Sequence, residues 1–181
     1  MPTSDAFVEL AGQRVVLRTF VPADLTDQYI NWLNDPQTMR WSNQRFRHHD
    51  RASCELFLAH FAQGPSHFLS IRESLTGFAL GTATAYVSLP HGTADVGILL
   101  GERSFWGLGY GQDAWNTLLE WLSAQPKIRK ITAGTLACNK PMVRLIEKSG
   151  MQLEGTRRSQ EIVEGNEEDI LLYARFRRDT A

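Results

Sequence analysis

The sequence predicts an α/β domain of the α+β type: one mixed, mostly antiparallel central sheet of about seven strands with helices on both faces. Three observations lead there. Strand-like runs outnumber helical ones. Three of those runs, between residues 67 and 100, are joined only by turns and read as an antiparallel meander. After residue 100, two helical segments alternate with strands before a closing hairpin. No Pro/Gly/Ser linker, repeat or low-complexity stretch divides the 181 residues, so they read as a single domain over 1–181, with residues 1–12 expected to be partly flexible. A chain of this length buries about 70% of the surface its unfolded form exposes and needs neither disulfides nor a structural metal.

Arg14 to Thr19 is a β-branched run that predicts the first strand, and Pro22-Ala23-Asp24 opens a helix with Leu25, Tyr29, Trp32 and Leu33 at helical spacing, ended by Asn34-Asp35-Pro36. Asp50 is placed to cap a second helix whose Cys54, Phe57, Leu58 and Phe61 share a face, closing near Gly64-Pro65. The meander is His67 to Arg72, Phe78 to Leu89 and Ala94 to Leu100, with turns at Ser74 to Gly77 and Pro90-His91-Gly92. From about Gly109 a helix turns Ala114, Leu118, Leu119 and Leu122 inward until Pro126 stops it. Ile128 to Leu136 is a buried strand, Lys140 to Ser149 a helix closed by Gly150, and Leu153 to Val163 with Asp169 to Phe176 a hairpin around Glu164-Gly165-Asn166.

Nineteen basic against 20 acidic side chains leave a net charge of -1, which argues against a nucleic-acid partner for the domain as a whole. The two cysteines, Cys54 and Cys138, form no C-x-x-C or Cys/His cluster, so no metal site is expected and both read as buried thiols in a reducing compartment. The N-terminus lacks a secretory pattern, and no apolar run approaches the roughly 20 residues of a membrane span. The expectation is a cytoplasmic protein without a membrane partner.

The most informative segment is Phe105-Trp106-Gly107-Leu108-Gly109-Tyr110-Gly111-Gln112, which leads from a strand and short loop into a helix. Glycines let the backbone approach a ligand and turn successive N–H groups into one concavity, while the helix N-terminus adds about half a positive charge. A diphosphate suits such a junction, although three glycines in five residues also fit a plain turn. The pattern is neither a Walker loop nor G-x-G-x-x-G, since Gln112 stands where the third glycine would be.

With its flanks, the chain resembles the GNAT superfamily of N-acetyltransferases, in particular its ribosomal-protein-type (RimJ/RimL-like) and amino-sugar branch. The resemblance covers nearly the whole chain. The family's coenzyme A loop, [QR]-x-x-G-x-[GA], is matched by Trp106 to Gly111 with Trp106 in its first place, and its preceding strand by Ala94 to Leu100. A later element, an asparagine and a helix ending in Gly-Phe, is matched by Asn139 through Gly150-Met151. The resemblance implies that acetyl-CoA is the co-substrate and that N–H groups of Leu108, Gly109, Tyr110, Gly111 and Gln112 hold its pyrophosphate. It further implies that the pantetheine lies along Ile98-Leu99-Leu100, where a backbone N–H polarises the thioester carbonyl. Asn139 would bond the pantetheine, or cap the following helix, or do both.

Many family members protonate the leaving thiolate with a tyrosine seven residues after that asparagine, or a serine three after it. Here those places hold Ile146 and Met142. For the base that takes a proton from the attacking ammonium, Glu161 in the final hairpin is the first candidate and Asp95 the second. Each has a plain alternative: Glu161 belongs to an acidic run with Glu164, Glu167, Glu168 and Asp169, and Asp95 can satisfy a turn.

Acceptor recognition is expected from Gln37 to His49, which holds three arginines, two histidines and no acid, interleaved with Trp41 and Phe46. Trp41, Ser42 and Arg45 are the candidate acceptor-binding residues. A solvated loop is one reading; the other is a pocket for an anionic, sugar-like acceptor such as a nucleotide-linked amino sugar, because arginine forks fit phosphate and aromatics stack on rings. A protein N-terminus, as in the ribosomal-protein acetyltransferases, is the competing acceptor, and a non-catalytic acyl-CoA-binding module the competing class. An exposed strand edge and large aromatics are compatible with a homodimer. Residues 101–150 carry seven basic and four acidic groups, Lys140, Arg144 and Lys148 among them, a local excess suited to the phosphates of coenzyme A.

Overall fold

The computed structural model describes residues 7–177. Its elements are β1 (Glu9–Ala11), β2 (Val15–Thr19), α1 (Asp27–Asn34), α2 (Arg51–Ala59), β3 (His67–Glu73), β4 (Ala79–Ser88), β5 (Thr93–Leu100), α3 (Tyr110–Ala124), β6 (Lys130–Leu136), α4 (Lys140–Lys148), β7 (Gln152–Val163) and β8 (Asn166–Phe176). They build one sheet in the order β1-β2-β3-β4-β5-β6-β8-β7, antiparallel throughout except for the β5–β6 pair.

The sheet has eight strands rather than about seven. The additional one, β1, is too short for a periodic signal and exists through its pairing with β2, aided by Val8 N–H donating to Thr19 Oγ1 at 2.8 Å. Within the stretch expected to be partly flexible, residues 9–11 form an edge strand, while residues 1–6 lie outside the described residues. The first helix is also divided. Pro22–Asp24 makes a single 3-10 turn, and α1 begins afresh at Asp27 because Thr26 caps it, its hydroxyl accepting from Tyr29 N–H at 3.3 Å. Asp24 is occupied elsewhere: Arg18 forks onto its two oxygens at 2.9 and 2.7 Å, and Arg72 adds a third bond at 2.5 Å.

Side-chain alternation along the strands supplies two cores. On one face Leu69 and Ile71 of β3 join Trp115, Leu118, Leu119 and Leu122 of α3 and Ile146 of α4. On the other, Phe68 meets Phe20, Tyr29, Trp32 and Cys54 under α1 and α2. Cys54 is buried as expected, but Cys138 is only half-buried, because it stands after the last residue of β6 where the sheet is already opening.

The opening between β5 and β6 positions the site. These strands pair only over Thr93↔Lys130, Ala94↔Ile131 and Asp95↔Thr132, while β6 continues alongside β8 as far as Leu136↔Ile170. Gly101 N–H donates to Leu80 O at 2.9 Å, and the β4–β5 register is unbroken from Gly81↔Leu100 to Ser88↔Thr93. Alternate residues of an antiparallel ladder turn their N–H and C=O to the same neighbour. Gly97 and Leu99 therefore face β4, and Ile98 and Leu100 turn their backbone groups into the opening.

Candidate active site

The glycine segment closes one end of that opening. Gly107 and Gly109 adopt left-handed backbone at φ +73° and +90°, and Gly109 is the N-cap of α3 without a side-chain cap. Among the described residues, the N–H groups of Leu108, Gly109, Tyr110, Gly111 and Gln112 find no protein acceptor; the first helical bond runs from Asp113 N–H to Gly109 O at 3.0 Å. Five consecutive free donors at a helix start form an anion-binding concavity. Trp106 Nε1 donates to Leu100 O at 2.8 Å, tying this loop to the end of β5. Gly111 fits closely, since a Cβ there would lie 3.6 Å from Leu145 Cδ1 and 3.9 Å from Leu100 Cδ2.

Helix α4 flanks the concavity: Gln112 Nε2 donates to Leu145 O at 3.2 Å, and Lys140, Arg144 and Lys148 recur every four residues on its exposed side. The donor set and the cationic stripe both fit the phosphates of coenzyme A. Asn139 caps α4, its Oδ1 accepting from Met142 N–H at 3.2 Å, and its amide NH₂ is free among the described residues. Ile146 is fully buried in the α3-side core, so its place in the helix does not face the opening.

Asp95, Gly97 and Leu99 turn their side chains to the face opposite α3. Asp95 stands at the last paired position of β5, exposed, with Thr132 Oγ1 donating to it at 2.7 Å. Burial and the charge of Asp95 together push the Tyr86 phenol above its ordinary pKa. Glu161 lies on the same face but toward the far end of the opening, paired with Glu168 across β7–β8 and held by Asn43 Nδ2 at 2.8 Å. Cys138 is near Glu168, and partial burial followed by that carboxylate raises its thiol pKa. The two carboxylates singled out in the sequence thus share a face while occupying different positions along it.

The segment after α1 spans the opening. On one side Arg103 Nη1 donates to Gln37 Oε1 at 2.8 Å; on the other Arg40 forks onto Glu164 at 2.8 and 2.9 Å and Asn43 reaches Glu161. Two of the segment's three arginines are already engaged, Arg40 on Glu164 and Arg45 on backbone carbonyls, while Arg47 is exposed. Arg45 donates to Ser42 O at 2.9 Å and Ile162 O at 3.0 Å, with its guanidinium 4.3 Å above the Phe46 ring, and Ser42 caps the 3-10 turn Asn43–Phe46 through Gln44 N–H. Trp41 lies under Arg40, 5.4 Å from ring centre to guanidinium carbon. The Arg40 and Arg45 forks are therefore turned inward onto the protein, because the hairpin supplies the Glu164 carboxylate and the Ile162 carbonyl they need.

Two contributors were not visible in the sequence. Arg14 donates through Nη1 to Leu108 O at 2.8 Å, and the Asp113 carboxylate accepts from Gln13, Arg14 and Val15 N–H at 3.1, 2.7 and 3.1 Å. Both links join segments nearly a hundred residues apart, beyond the reach of any local pattern. A cavity of about 1190 Å³ opens elsewhere, lined in part by Phe20, Leu58, Phe61, Phe68 and Trp121, away from the glycine loop and both carboxylates. Among the described residues no group of three His, Cys, Asp or Glu side chains is placed to hold a metal ion, and no helix is long and apolar enough to cross a membrane.

The profile of the family described as Acetyltransferase (GNAT) domain matches residues 14–152. No curated protein matches the sequence significantly. Solved structures share the fold. A spermidine N-acetyltransferase from Vibrio cholerae, in complex with CoA and spermine, superimposes with a TM-score of 0.80 at 18% identity, covering 91% of this chain and 96% of that one. A ribosomal-protein-S5-alanine acetyltransferase from Vibrio fischeri gives 0.80 at 16% identity, covering 95% and 98%. An acetyltransferase of the GNAT family from Bacillus anthracis gives 0.79 at 17%, covering 94% and 99%.

Proposed function

Because this chain belongs to the acetyltransferase (GNAT) domain family, we propose that it transfers acetyl from acetyl-CoA directly to a primary amine, with the coenzyme along the β5–β6 opening. The observation that carries this reading is the row of five free N–H groups at the start of α3, joined to a stretch of β5 that is paired with β4 on one side and, among the described residues, has no strand beside it on the other. The N–H groups of Leu108, Gly109, Tyr110, Gly111 and Gln112 would hold the pyrophosphate, and Ile98, Leu100 and Asn139 the pantetheine; Leu99, whose backbone groups are turned to β4, would meet it only through its side chain. Acetyl-CoA supplies an activated acyl thioester. The N–H of Ile98 or Leu100, facing the opening, is the donor suited to polarise the acyl carbonyl. Glu161 takes the proton of the incoming ammonium, with Asp95 as the second candidate. Neither Ile146 nor Met142 can donate a proton, so the thiolate leaves without help from those positions.

For the acceptor, the internal pairing of Arg40 and Arg45 favours a cationic amine, a polyamine or a protein N-terminus, over a nucleotide-linked amino sugar. On this reading Glu161 and Glu168, paired across β7–β8, would line the approach, and a carboxylate-lined approach attracts ammonium and repels phosphate. Trp41, beneath the Arg40 guanidinium, is the aromatic candidate on the segment that spans the opening. Both fold relatives from Vibrio are named for amine substrates of this broad kind.

Thiol release from acetyl-CoA, measured with polyamines, ribosomal-protein N-terminal peptides and UDP- or dTDP-amino sugars, tests the assignment. Turnover with a cationic amine, lowered at least about tenfold in Glu161→Gln, is the expected result. Turnover with nucleotide sugars alone would overturn the acceptor. Binding of CoA without thiol release for any amine would overturn catalysis in favour of a binding module.

A further inference from the structure

The phosphate concavity is held from behind by a residue of a distant turn. Arg14, between β1 and β2, donates through Nη1 to the carbonyl of Leu108 at 2.8 Å, and its guanidinium carbon stands 5.8 Å from the centre of the Tyr110 ring. The C=O and N–H of a trans peptide point in opposite directions. A donor that pins the Leu108 carbonyl on one side therefore turns the Gly109 N–H outward on the other, into the row of free donors. Gly109 also has no side chain to intervene: a Cβ there would point toward Arg14 Nη1, 4.0 Å away.

Arg14 is itself anchored to the helix it serves. Asp113, in the first turn of α3, accepts from the main-chain N–H of Gln13, Arg14 and Val15, so the path Asp113, Arg14 backbone, Arg14 guanidinium and Leu108 carbonyl closes on itself. The turn comes this near because residue 12 is glycine. A Cβ on Gly12 would lie 2.7 Å from both Asp113 Oδ2 and Thr117 Oγ1. One guanidinium donor is used in this path; among the described residues the remaining Arg14 donors have no partner, and the side chain is exposed.

We propose that Arg14 is a positioning residue for the coenzyme's pyrophosphate: it orients the Leu108–Gly109 peptide so that the Gly109 N–H meets the anion. Its positive charge behind the peptide also polarises that N–H, since linked hydrogen bonds strengthen one another. This assignment rests on the reading that the concavity binds coenzyme A, and it adds to that reading a residue from outside the glycine segment.

The test compares two acyl donors, acetyl-CoA and S-acetylpantetheine, which lacks the pyrophosphate, in wild type, Arg14→Met and Arg14→Lys. Losing one charge-assisted orienting bond is expected to raise KM for acetyl-CoA about tenfold in Arg14→Met with kcat retained. KM for S-acetylpantetheine should stay at the wild-type value, and Arg14→Lys should recover part of the loss because it restores a cationic donor. The amide resonance of Gly109 should shift on adding CoA to wild type and shift less in Arg14→Met. Equal losses with both donors, or an unchanged KM for acetyl-CoA, overturn the proposal. Wild-type protein that fails to bind CoA in calorimetry overturns the coenzyme reading instead, which keeps the two failures apart.

Discussion

Arg40 and Glu164, 124 residues apart, meet in a fork of two parallel hydrogen bonds at 2.8 and 2.9 Å. The fork fastens the segment after α1 to the β7–β8 hairpin across the opening, and the Arg40 guanidinium holds the Glu164 carboxyl below the ordinary glutamate range. Because that pKa is depressed in the folded chain, the fork survives mild acid and is lost only as pH falls through the depressed value. Both side chains are exposed, so the effect to measure is local rather than global. Arg40→Met should speed hydrogen exchange in residues 37–46 and raise KM for the acceptor while leaving CoA affinity unchanged. Slow exchange retained in the variant would show that the fork does not hold this segment.

Gly109→Val should abolish CoA binding. A left-handed residue with a Cβ costs about 1–2 kcal/mol, more when β-branched, so the loop would shift to relieve φ +90° and its row of N–H groups would scatter. A CoA-induced rise in Tm is the readout. The same rise in the variant as in wild type would remove the loop from the binding site.

Asp113→Ala removes the acceptor of three main-chain N–H groups. Charge-assisted bonds of this kind, partly solvated, support a loss of about 2–3 kcal/mol, which lowers the Tm of a domain this size by about 4–12 °C. Differential scanning calorimetry checks the magnitude. Added coenzyme should recover less stability than in wild type, since Arg14 loses its anchor.

Ile146→Tyr places a tyrosine where many family members carry their proton donor, yet activity should not rise. Ile146 is fully buried beneath α4, and overpacking such a site costs typically about 1–3 kcal/mol. A lower Tm without a gain in kcat is expected; a gain in kcat would mean that this helix face can reach the thiolate.

His67 packs edge-on against Trp121 with ring centres 4.8 Å apart, and burial pushes its pKa below the ordinary histidine value. The unfolded chain therefore binds this proton more readily than the folded one. Stability is fully present above about pH 6.5 and falls as pH drops toward the depressed folded value. Between pH 7.5 and 5.5, the Tm of wild type should decline more than that of His67→Phe. Parallel curves would assign the acid sensitivity to other groups.

Long, periodic elements were legible without coordinates. The four helices and the strands β2 through β8 follow apolar spacing and turn residues that act within a few positions of one another. Elements fixed by tertiary partners were not. β1 depends on pairing with β2, and α1 starts at Asp27 because Asp24 is drawn to Arg18 and Arg72. The site divides in the same way. The glycine loop, Asn139 and the cationic spacing of α4 are local features, readable from neighbouring residues. On the acceptor side, an arginine cluster in sequence shows charge but not the Glu164, Ile162 and Ser42 oxygens that Arg40 and Arg45 bond.

Among the described residues, strand β7 has no partner on its outer side along its twelve residues. An open border is a template on which a strand from another molecule can add. Here the template is interrupted: its register to β8 jumps between Leu153 and Gly155 and again between Arg157 and Glu161, and Ser159 sits at φ +45°. The regular stretches left are Gln152–Leu153, Gly155–Arg157 and Glu161–Val163, each too short to seat an incoming strand. Chain-to-chain growth of the sheet is thereby checked at the place where it would start, so the bulges that bend β7 also guard the protein against polymerising through this edge.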